Sequence, residues 1–299
     1  MNEPQSLHES LETAWWYRLR EFDQNPPKCL FHYTNIDAFS SIILNKELWA
    51  TEVLFLNDSS ELFYGLNIAK GIAVELLKED LNETQRSFLL PIVNGGNIFE
   101  NADVYVASLT ACEDTLSQWR GYGDKNRSVS IGFNIPESNI YGESNPYCSY
   151  ALVKVHYDFL DQSKLIFEFL SGYIYGIKDL PPEEVIQHNR VKYVGLLMLI
   201  ARMKHPSWKE EDEWRLITGT YEYIGTELHR IKRNFRGGKN SLIPYVKAKF
   251  INEKSISRIY FPNNEYFRKN HYSAKEILIE GSYDLTNIAI EPSKIPIVY

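Results

Sequence analysis

The sequence has few cysteines and no long hydrophobic segment. Its three cysteines, Cys29, Cys112 and Cys148, are widely spaced and form no CxxC pair, which argues against a disulfide framework and against a structural zinc site. The longest apolar run, residues 194–201, is too short to span a bilayer. Residues 1–6 are polar and do not resemble a secretory signal. We therefore expect a cytoplasmic protein with no membrane partner.

The sequence also lacks an internal repeat, a low-complexity tract and the GxxxxGK[ST] pattern of a P-loop. Hydrophobic residues make up 44% and aromatic residues 14% of the 299 positions, enough for a substantial core. The net charge of −7 argues against non-specific coating of nucleic acid. Lys and Arg are nevertheless in excess in the last third of the chain, where a basic surface could receive phosphates.

The hydrophobic pattern predicts an α+β fold. Helical spacing predicts helices at residues 5–22, 34–44, 58–78, 161–175, 182–203 and 274–279. Alternation predicts strands at residues 29–33, 48–51, 104–109, 128–133, 150–156, 214–219, 243–250, 256–261 and 287–291. Because no linker is evident, we expect residues 1–28 to be an N-terminal helical segment. Residues 29–299 then form a single domain with a helical insertion at about 158–205.

The first polar-aromatic cluster is Phe31-His32-Tyr33-Thr34, at the end of a predicted strand. Alternation places His32 and Thr34 on one face of that strand and Tyr33 on the other. The four residues from Thr34 resemble a capping box, so His32 would lie at a strand-to-helix junction. A histidine there can act as an acid or base or bind a ribose hydroxyl. A hydrogen-bonded structural histidine is the alternative.

A second polar segment precedes the predicted helix at 58–78. Asn57 is a candidate for positioning a loop over the site, and Glu61 is a secondary candidate for a general base. Asp58 and Glu61 also have the spacing of a capping box. Ordinary helix-start chemistry explains these two carboxylates at least as well as catalysis does.

The third cluster, residues 117–124, combines an arginine with two aromatic residues and two glycines, and is predicted to form a short helix or turn. Arg120 suits bidentate binding of phosphate or carboxylate, and glycine permits close approach of the backbone to a ligand. The equally weighted alternative is that Trp119 anchors a helix in the core while Arg120 pairs with an acidic neighbour.

Two charged stretches lie in the last third of the chain. In the first, alternation places Glu211, Glu213 and Arg215 on one face of a strand. We expect residues 210–212 to be solvated, as acidic runs usually are, and Glu213 to face a cleft. The second, residues 229–239, could guide a nucleotide or nucleic-acid phosphate to the site, but the pattern favours a solvated loop.

Taken together, these motifs resemble a bacterial family catalogued as domain of unknown function 2971. The resemblance runs from Phe31 onward through FHYTN, LWAT with LND, LSQWRGYG, W…EDEWRL, FRGG…IPY and SKIP at residues 293–296. That family is in turn distantly similar to ADP-ribosyltransferases. The similarity implies an ADP-ribosyltransferase-like split, curved β-sheet with flanking helices, and NAD as the substrate bound in its cleft.

The resemblance implies catalytic roles for three residues. In transferases of the His-Tyr-Glu type, a His on an early strand holds a ribose and a Glu on a late strand is catalytic. His32 and Glu213 match these two roles, and Tyr33 beside His32 is included in the predicted catalytic set. A carboxylate such as Glu213 would stabilise the oxocarbenium-like centre that forms when the nicotinamide–ribose bond breaks.

The implied NAD-binding set is larger. Arg120 or Arg215 is predicted to contact the pyrophosphate, and both belong to the set. The remaining members are Thr34, Asn57, Trp119 and Tyr122. The aromatic residue that stacks on nicotinamide is left open between Tyr122, Trp119 and Tyr105.

The leading prediction is therefore an NAD-dependent ADP-ribosyltransferase that modifies a protein or nucleic acid as a bacterial toxin or anti-phage effector, a role inferred from related bacterial transferases. One alternative is a catalytically inactive nucleotide-binding sensor or interaction module. A metal-dependent nuclease or hydrolase is less favoured, because its candidate carboxylates have no recognisable metal-ligand spacing. Those carboxylates are Asp58, Glu61, Asp114 and Glu213.

Overall fold

The structure is a computed structural model that describes residues 27–56, 59–95, 104–123, 127–135, 150–219, 221–224, 227–238, 240–248 and 251–296. The helix predicted at residues 5–22 and the candidates Asn57 and Asp58 lie outside these ranges. The described residues form an α+β fold with an open, curved, multi-stranded sheet and flanking helices. None of the described helices is long and apolar enough to cross a membrane.

The helices of the described residues are α1 (Ile36–Asn45), α2 (Ser59–Leu76), α3 (Glu83–Asn94), α4 (Leu116–Tyr122), α5 (Phe159–Gly176), α6 (Pro182–Ile200) and α7 (Phe267–Glu280). The first six strands are β1 (Cys29–Asn35), β2 (Leu48–Glu52), β3 (Tyr105–Thr110), β4 (Ser128–Asn134), β5 (Tyr150–Lys154) and β6 (Glu213–Thr218). They are followed by β7 (Tyr221–Ile224), β8 (Glu227–Arg230), β9 (Asn234–Gly237), β10 (Leu242–Ala248), β11 (Ile256–Phe261) and β12 (Ala289–Pro292).

Contacts between residues divide the chain into two compact units. Among the described residues, unit 1 takes in 52–104 and 153–208, and unit 2 takes in 27–51, 105–152 and 209–296. The helices predicted as an insertion at about 158–205 are α5 and α6 of unit 1. The domain limits predicted from the sequence, 1–28 and 29–299, stay a prediction.

Unit 2 is built on the large sheet, whose strands follow the order β12-β11-β4-β1-β3-β2-β10-β9. In addition, β6 pairs with β3, and β5 pairs with β6. Alternation decides which side chains form the core: Val129, Ile131 and Phe133 of β4 are buried in it. Residues Phe39 of α1 and Leu278 of α7 belong to the same core. One face of the sheet is thus covered by helices.

Strands β1 and β3 meet at a single residue pair, Phe31 with Thr110. By contrast, β1 pairs with β4 along its whole length, and β3 pairs with β6 over all six of its residues. Beyond the single pair, β1 and β3 therefore do not continue as neighbouring strands, and side chains can occupy the space between them. The candidate site described below lies at this point.

Helix α1 begins one residue later than its sequence suggests. The predicted capping residue was Thr34, but Asn35 is the N-cap, and its side chain accepts a hydrogen bond from Ala38 N at 2.9 Å. Asparagine is at least as good an N-cap as threonine. Thr34 instead completes β1, where it pairs with Val129 of β4.

The basic stretch at residues 229–239 was predicted as a solvated loop, and this prediction is wrong for part of it. Residues up to Arg230 belong to β8, which pairs with β7, and Asn234–Gly237 form β9, which pairs with β10. The pairing strands supply the backbone hydrogen-bond partners that the charge pattern alone does not reveal.

Unit 1 contains a buried polar network between its helices. Lys204 and Glu61 form an ion pair at 2.8 Å, with side chains that are 2% and 11% exposed. Gln162 of α5 donates hydrogen bonds to the carbonyl oxygens of His156 and Lys204, at 2.6 and 2.8 Å. These contacts fix the chain after α6 against α2 and α5. Glu61, a secondary candidate for a general base, is engaged in this network.

Candidate functional site

A cavity of about 40 Å³ lies in unit 2 where β1 and β3 part. Its lining comes from β1, β3, β6, α4 and the turn before β6, and most of its polar groups are buried or half-buried. The lining residues are Phe31, His32, Tyr33, Ser108, Leu109, Thr110, Gln118, Tyr122, Glu211 and Glu213. The structure therefore brings His32, Tyr33, Tyr122 and Glu213 of the predicted set to one place.

The surroundings of His32 favour a neutral imidazole. Its Nδ1 lies 2.9 Å from Ser108 O, and because a carbonyl oxygen only accepts, Nδ1 must carry the proton and Nε2 must be an acceptor. Burial lowers the pKa of His32 most, and the positive charge of Arg236 lowers that pKa further, while the Ser108 bond opposes both. The ring can thus accept a hydrogen bond from a ligand hydroxyl through Nε2.

Glu213 and Arg215 form a buried ion pair on β6. The Arg215 Nε and Nη2 groups donate to the two carboxylate oxygens of Glu213 at 2.8 and 2.9 Å, and the side chains are 4% and 3% exposed. The two residues are two positions apart on a strand and so share a face. This bidentate geometry fixes the Glu213 carboxylate beside the cavity. The Arg215 guanidinium, a predicted contact of the pyrophosphate, is directed at Glu213.

Glu211 is a second buried carboxylate at the cavity, which corrects the prediction that residues 210–212 are solvated. Its side chain is 7% exposed and accepts hydrogen bonds from Tyr122 Oη at 3.2 and 3.4 Å. Thr110 Oγ1 donates to the backbone oxygen of Glu211 at 2.6 Å. Asp212 then turns the chain into β6 with a φ of 39°. Glu210 is exposed, as expected.

Helix α4 presents two of its side chains to the cavity. Gln118 and Tyr122 are four residues apart on a helix and therefore lie on one face. Trp119 is fully buried and donates from Nε1 to Asp114 Oδ1 at 2.7 Å, which agrees with the first half of the alternative, that Trp119 anchors the helix in the core. Arg120 is exposed, and no ion pair joins it to another described residue.

Gly123 ends α4 at a point with no room for a side chain. A Cβ there would lie 2.2 Å from Ser128 Oγ and 2.4 Å from Trp119 O. Its N–H donates to Trp119 O at 3.1 Å. Glycine at this position lets the end of α4 pass close to β4 and so positions Tyr122.

Tyr33 and Asp114 hold the loop that leads into α4. The Tyr33 hydroxyl donates to the backbone oxygens of Cys112 and Glu113 at 3.1 and 2.9 Å, and it accepts from Thr115 N at 3.3 Å. Burial raises the pKa of Tyr33 far above its usual value. The hydroxyl is thus directed at the loop, while the tyrosine ring contributes to the cavity wall.

The SKIP motif at residues 293–296 is hydrogen-bonded to the same loop. Asp114 Oδ1 accepts from Ser293 Oγ at 2.7 Å, and Asp114 Oδ2 accepts from Lys294 N at 2.7 Å. Because Asp114 also accepts from Trp119, one carboxylate joins α4 to the chain after β12. Asp114 is therefore a positioning residue.

Two further residues that the sequence singled out as possible NAD contacts, Thr34 and Tyr105, do not line the cavity. Thr34 is on β1 beyond His32. Tyr105 is fully buried in the core on β3, so Tyr122 is the member of the three aromatic candidates that lines the cavity. Their predicted roles in binding NAD stay predictions.

Sequence reasoning overlooked several members of the lining. Gln118 was passed over in favour of its charged and aromatic neighbours, although its spacing from Tyr122 marked the shared helix face. Ser108 and Thr110 carried no sequence signal beyond strand alternation. Among the described residues, no group of three or more His, Cys, Asp or Glu side chains is placed to hold a metal ion.

Comparison with protein families gives a match to part of the chain. A family model described as a protein of unknown function (DUF2971) matches residues 118–216, about a third of the chain. This region begins at Gln118 on α4 and ends within β6, so it contains Tyr122, Glu211 and Glu213. No curated protein and no solved structure matches the chain.

Proposed function

We propose that the chain is an NAD-dependent ADP-ribosyltransferase-like enzyme that binds the nicotinamide–ribose part of NAD at this cavity and transfers ADP-ribose to a protein or nucleic acid. The observation that carries the proposal is the meeting of a neutral His32 with two buried carboxylates, Glu211 and Glu213, around one polar cavity. Groups of this kind suit cleavage of a glycosidic bond.

The proposed reaction breaks the bond between ribose C1′ and the nicotinamide nitrogen. The bonding electron pair leaves with nicotinamide, which becomes neutral, and an acceptor oxygen or nitrogen forms the new bond to C1′ while its proton is released. A fixed carboxylate of Glu213 stabilises the positive charge that develops on the ribose. His32 Nε2 accepts a hydrogen bond from a ribose hydroxyl, and the ring of Tyr122 borders the nicotinamide.

The cavity size limits what can be enclosed. Pockets that hold a whole small-molecule ligand generally measure roughly 300–1,000 Å³, whereas this cavity measures about 40 Å³. It therefore receives only part of a dinucleotide, and the phosphates and adenosine of NAD would lie along the neighbouring surface. We propose the same cytoplasmic toxin or defence role that the resemblance implied.

A second candidate function is a nucleotide-binding sensor without turnover. It is favoured by the Glu213–Arg215 pair, because Arg215 occupies both oxygens of the carboxylate and offsets its charge. A neutralised carboxylate stabilises an oxocarbenium-like centre less well than a free one. The two candidates differ in whether NAD is consumed.

The experiment is to incubate the purified protein with NAD and to quantify released nicotinamide. Glu213→Gln should lower the release rate at least 100-fold while NAD binding changes less than 10-fold. The matched control is Glu210→Gln, because Glu210 is exposed in the same acidic run, and it should release nicotinamide at the wild-type rate.

Thermal unfolding of each variant identifies any loss that comes from misfolding. Nicotinamide release that is equal in wild type and a folded Glu213→Gln would contradict the assignment of Glu213. Binding of NAD without release by the wild type would favour the sensor.

A further inference from the structure

Three motifs of the sequence contribute nothing to the cavity: LWAT, FRGG and IPY. The structure brings them together on three neighbouring strands, β2, β9 and β10. They supply Trp49 and Thr51 from β2, Arg236 from β9 and Tyr245 from β10. We name these four side chains the Arg236 cluster.

The rings of Trp49 and Tyr245 stack, with centroids 4.4 Å apart and planes inclined by 25°. The guanidinium carbon of Arg236 lies 5.9 Å from each ring centroid, within the range of a cation–π contact. Arg236 Nη2 also donates to Thr51 Oγ1 at 2.7 Å. The arginine is therefore held in place by two rings and one hydroxyl.

Among the described residues, no acidic side chain offsets the charge of Arg236. Within the part of the chain that the structure describes, no carboxylate forms an ion pair with it, whereas Arg215 pairs with Glu213 and Lys247 pairs with Glu47. Arg236 is half-buried, and burial lowers its pKa. A half-buried cation with unused N–H donors is suited to binding an anion.

The Arg236 cluster acts electrostatically on one residue of the cavity lining. The positive charge of Arg236 lowers the pKa of His32, an interaction that falls off with distance. Both belong to unit 2. A ligand that fills the cavity with one end could therefore meet Arg236 with a charged group.

We propose that the Arg236 cluster is a binding subsite for the phosphoryl groups of a nucleotide, with Arg236 donating to the phosphate oxygens. The proposal rests on the proposed function for the identity of that nucleotide as NAD. It adds Arg236 to the predicted pyrophosphate contacts: Arg120 is exposed on α4 and stays a prediction, whereas the Arg215 guanidinium is already paired with Glu213.

The test is isothermal titration of the full chain with two probes, inorganic pyrophosphate and ADP-ribose. Arg236→Gln should weaken binding of both probes by about 10- to 100-fold, the loss typical of a charge-assisted hydrogen bond. Arg236→Lys keeps the positive charge but loses the planar guanidinium with its paired N–H donors. It should retain more affinity than Arg236→Gln. The matched control is Arg268→Gln, an exposed arginine on α7, which should bind as the wild type does.

In the titration, the subsite would be overturned by no binding of either probe by the wild type, or by equal binding by the wild type and a folded Arg236→Gln. Failure of the proposed function looks different. Arg236-dependent binding without nicotinamide release would uphold the subsite and refute the transferase. Nicotinamide release with a KM for NAD unchanged by Arg236→Gln would uphold the transferase and refute the subsite.

Discussion

At the residue scale, the Glu213–Arg215 pair links stability to the proposed chemistry. Two charges that are almost fully buried are costly, and here each offsets the other. A substitution that removes one partner therefore weakens the compensation of the charge that stays. Tests of Glu213 must therefore separate loss of function from loss of fold.

We expect Glu213→Gln to lower the free energy of unfolding by about 3–5 kcal/mol, because Arg215 then stays buried without its carboxylate. The double variant Glu213→Gln/Arg215→Met should recover a large part of that loss, since both charges are gone. Urea unfolding of the wild type, the two single variants and the double variant measures the coupling. Strictly additive losses would contradict a direct interaction.

His32 should remain neutral throughout the physiological range. Burial and Arg236 lower its pKa below the ordinary value of about 6.5, so the neutral form is favoured at pH 7. Nitrogen-detected NMR of the imidazole should show the proton on Nδ1, where Ser108 O accepts it. An imidazolium signal at pH 7, or a proton on Nε2, would refute the assigned state of the ring.

At the element scale, the position of α4 depends on one carboxylate. Asp114 accepts hydrogen bonds from Trp119 of the helix and from Ser293 and Lys294 of the SKIP motif. Neither sequence motif contains the residue that joins them. The cavity face formed by Gln118 and Tyr122 thus relies on a contact between distant parts of the chain.

Asp114→Ala should destabilise the fold by roughly 2–4 kcal/mol, because two buried donors lose a charged acceptor. Amide hydrogen exchange should accelerate in α4 and in residues 293–296 more than in β4. The matched control is Asp161→Ala, a carboxylate exposed near the start of α5. Unchanged exchange in both segments would show that Asp114 does not hold them.

Regular elements were predictable where their pattern was local. The strand at residues 256–261 was predicted with the bounds that β11 has, and the helix predicted at 161–175 corresponds to α5 at Phe159–Gly176. Helix α3 was not predicted, although Asn82 and Gln85 form a complete capping box. Its apolar residues form a continuous run at 88–93 that contains Pro91, a residue that usually breaks a helix. Strand β9 was not predicted, because its charged residues favour a solvated loop and only its pairing with β10 makes the segment a strand.

The residues of the candidate site show the same contrast between local patterns and long-range contacts. Residue type and strand alternation were enough to select His32 and Glu213, which line one cavity. Glu211 was assigned to solvent because its burial depends on Tyr122, 89 residues away, and on Thr110, 101 residues away. Such long-range contacts leave no trace in a local charge pattern.

At the scale of the whole molecule, acid stability should depend on a histidine that the site does not use. His156 Nε2 accepts a hydrogen bond from Arg202 Nη2 at 3.2 Å. Burial, followed by the charges of Arg202 and Lys154, lowers the pKa of His156 to about 4. Between pH 6.5 and pH 4 the unfolded chain therefore binds a proton that the folded chain does not, so stability falls as the pH falls.

The expected loss from His156 over that interval is about 3 kcal/mol. Urea unfolding at pH 7, 5.5 and 4 should show a smaller decline for His156→Gln than for the wild type. The matched control is His271→Gln on α7, which should keep the wild-type decline. Equal declines in all three proteins would mean that His156 is not the source.

The measurement that tests the central claim most directly is the fate of adenine-labelled NAD added to cell lysate with the purified protein. The lysate is separated into protein, RNA and DNA, and Glu213→Gln and Glu210→Gln are run in parallel. We expect label in one macromolecular fraction with the wild type and with Glu210→Gln, and its absence with Glu213→Gln. No label in any fraction and no released nicotinamide, from a folded wild-type protein, would contradict the proposed transferase.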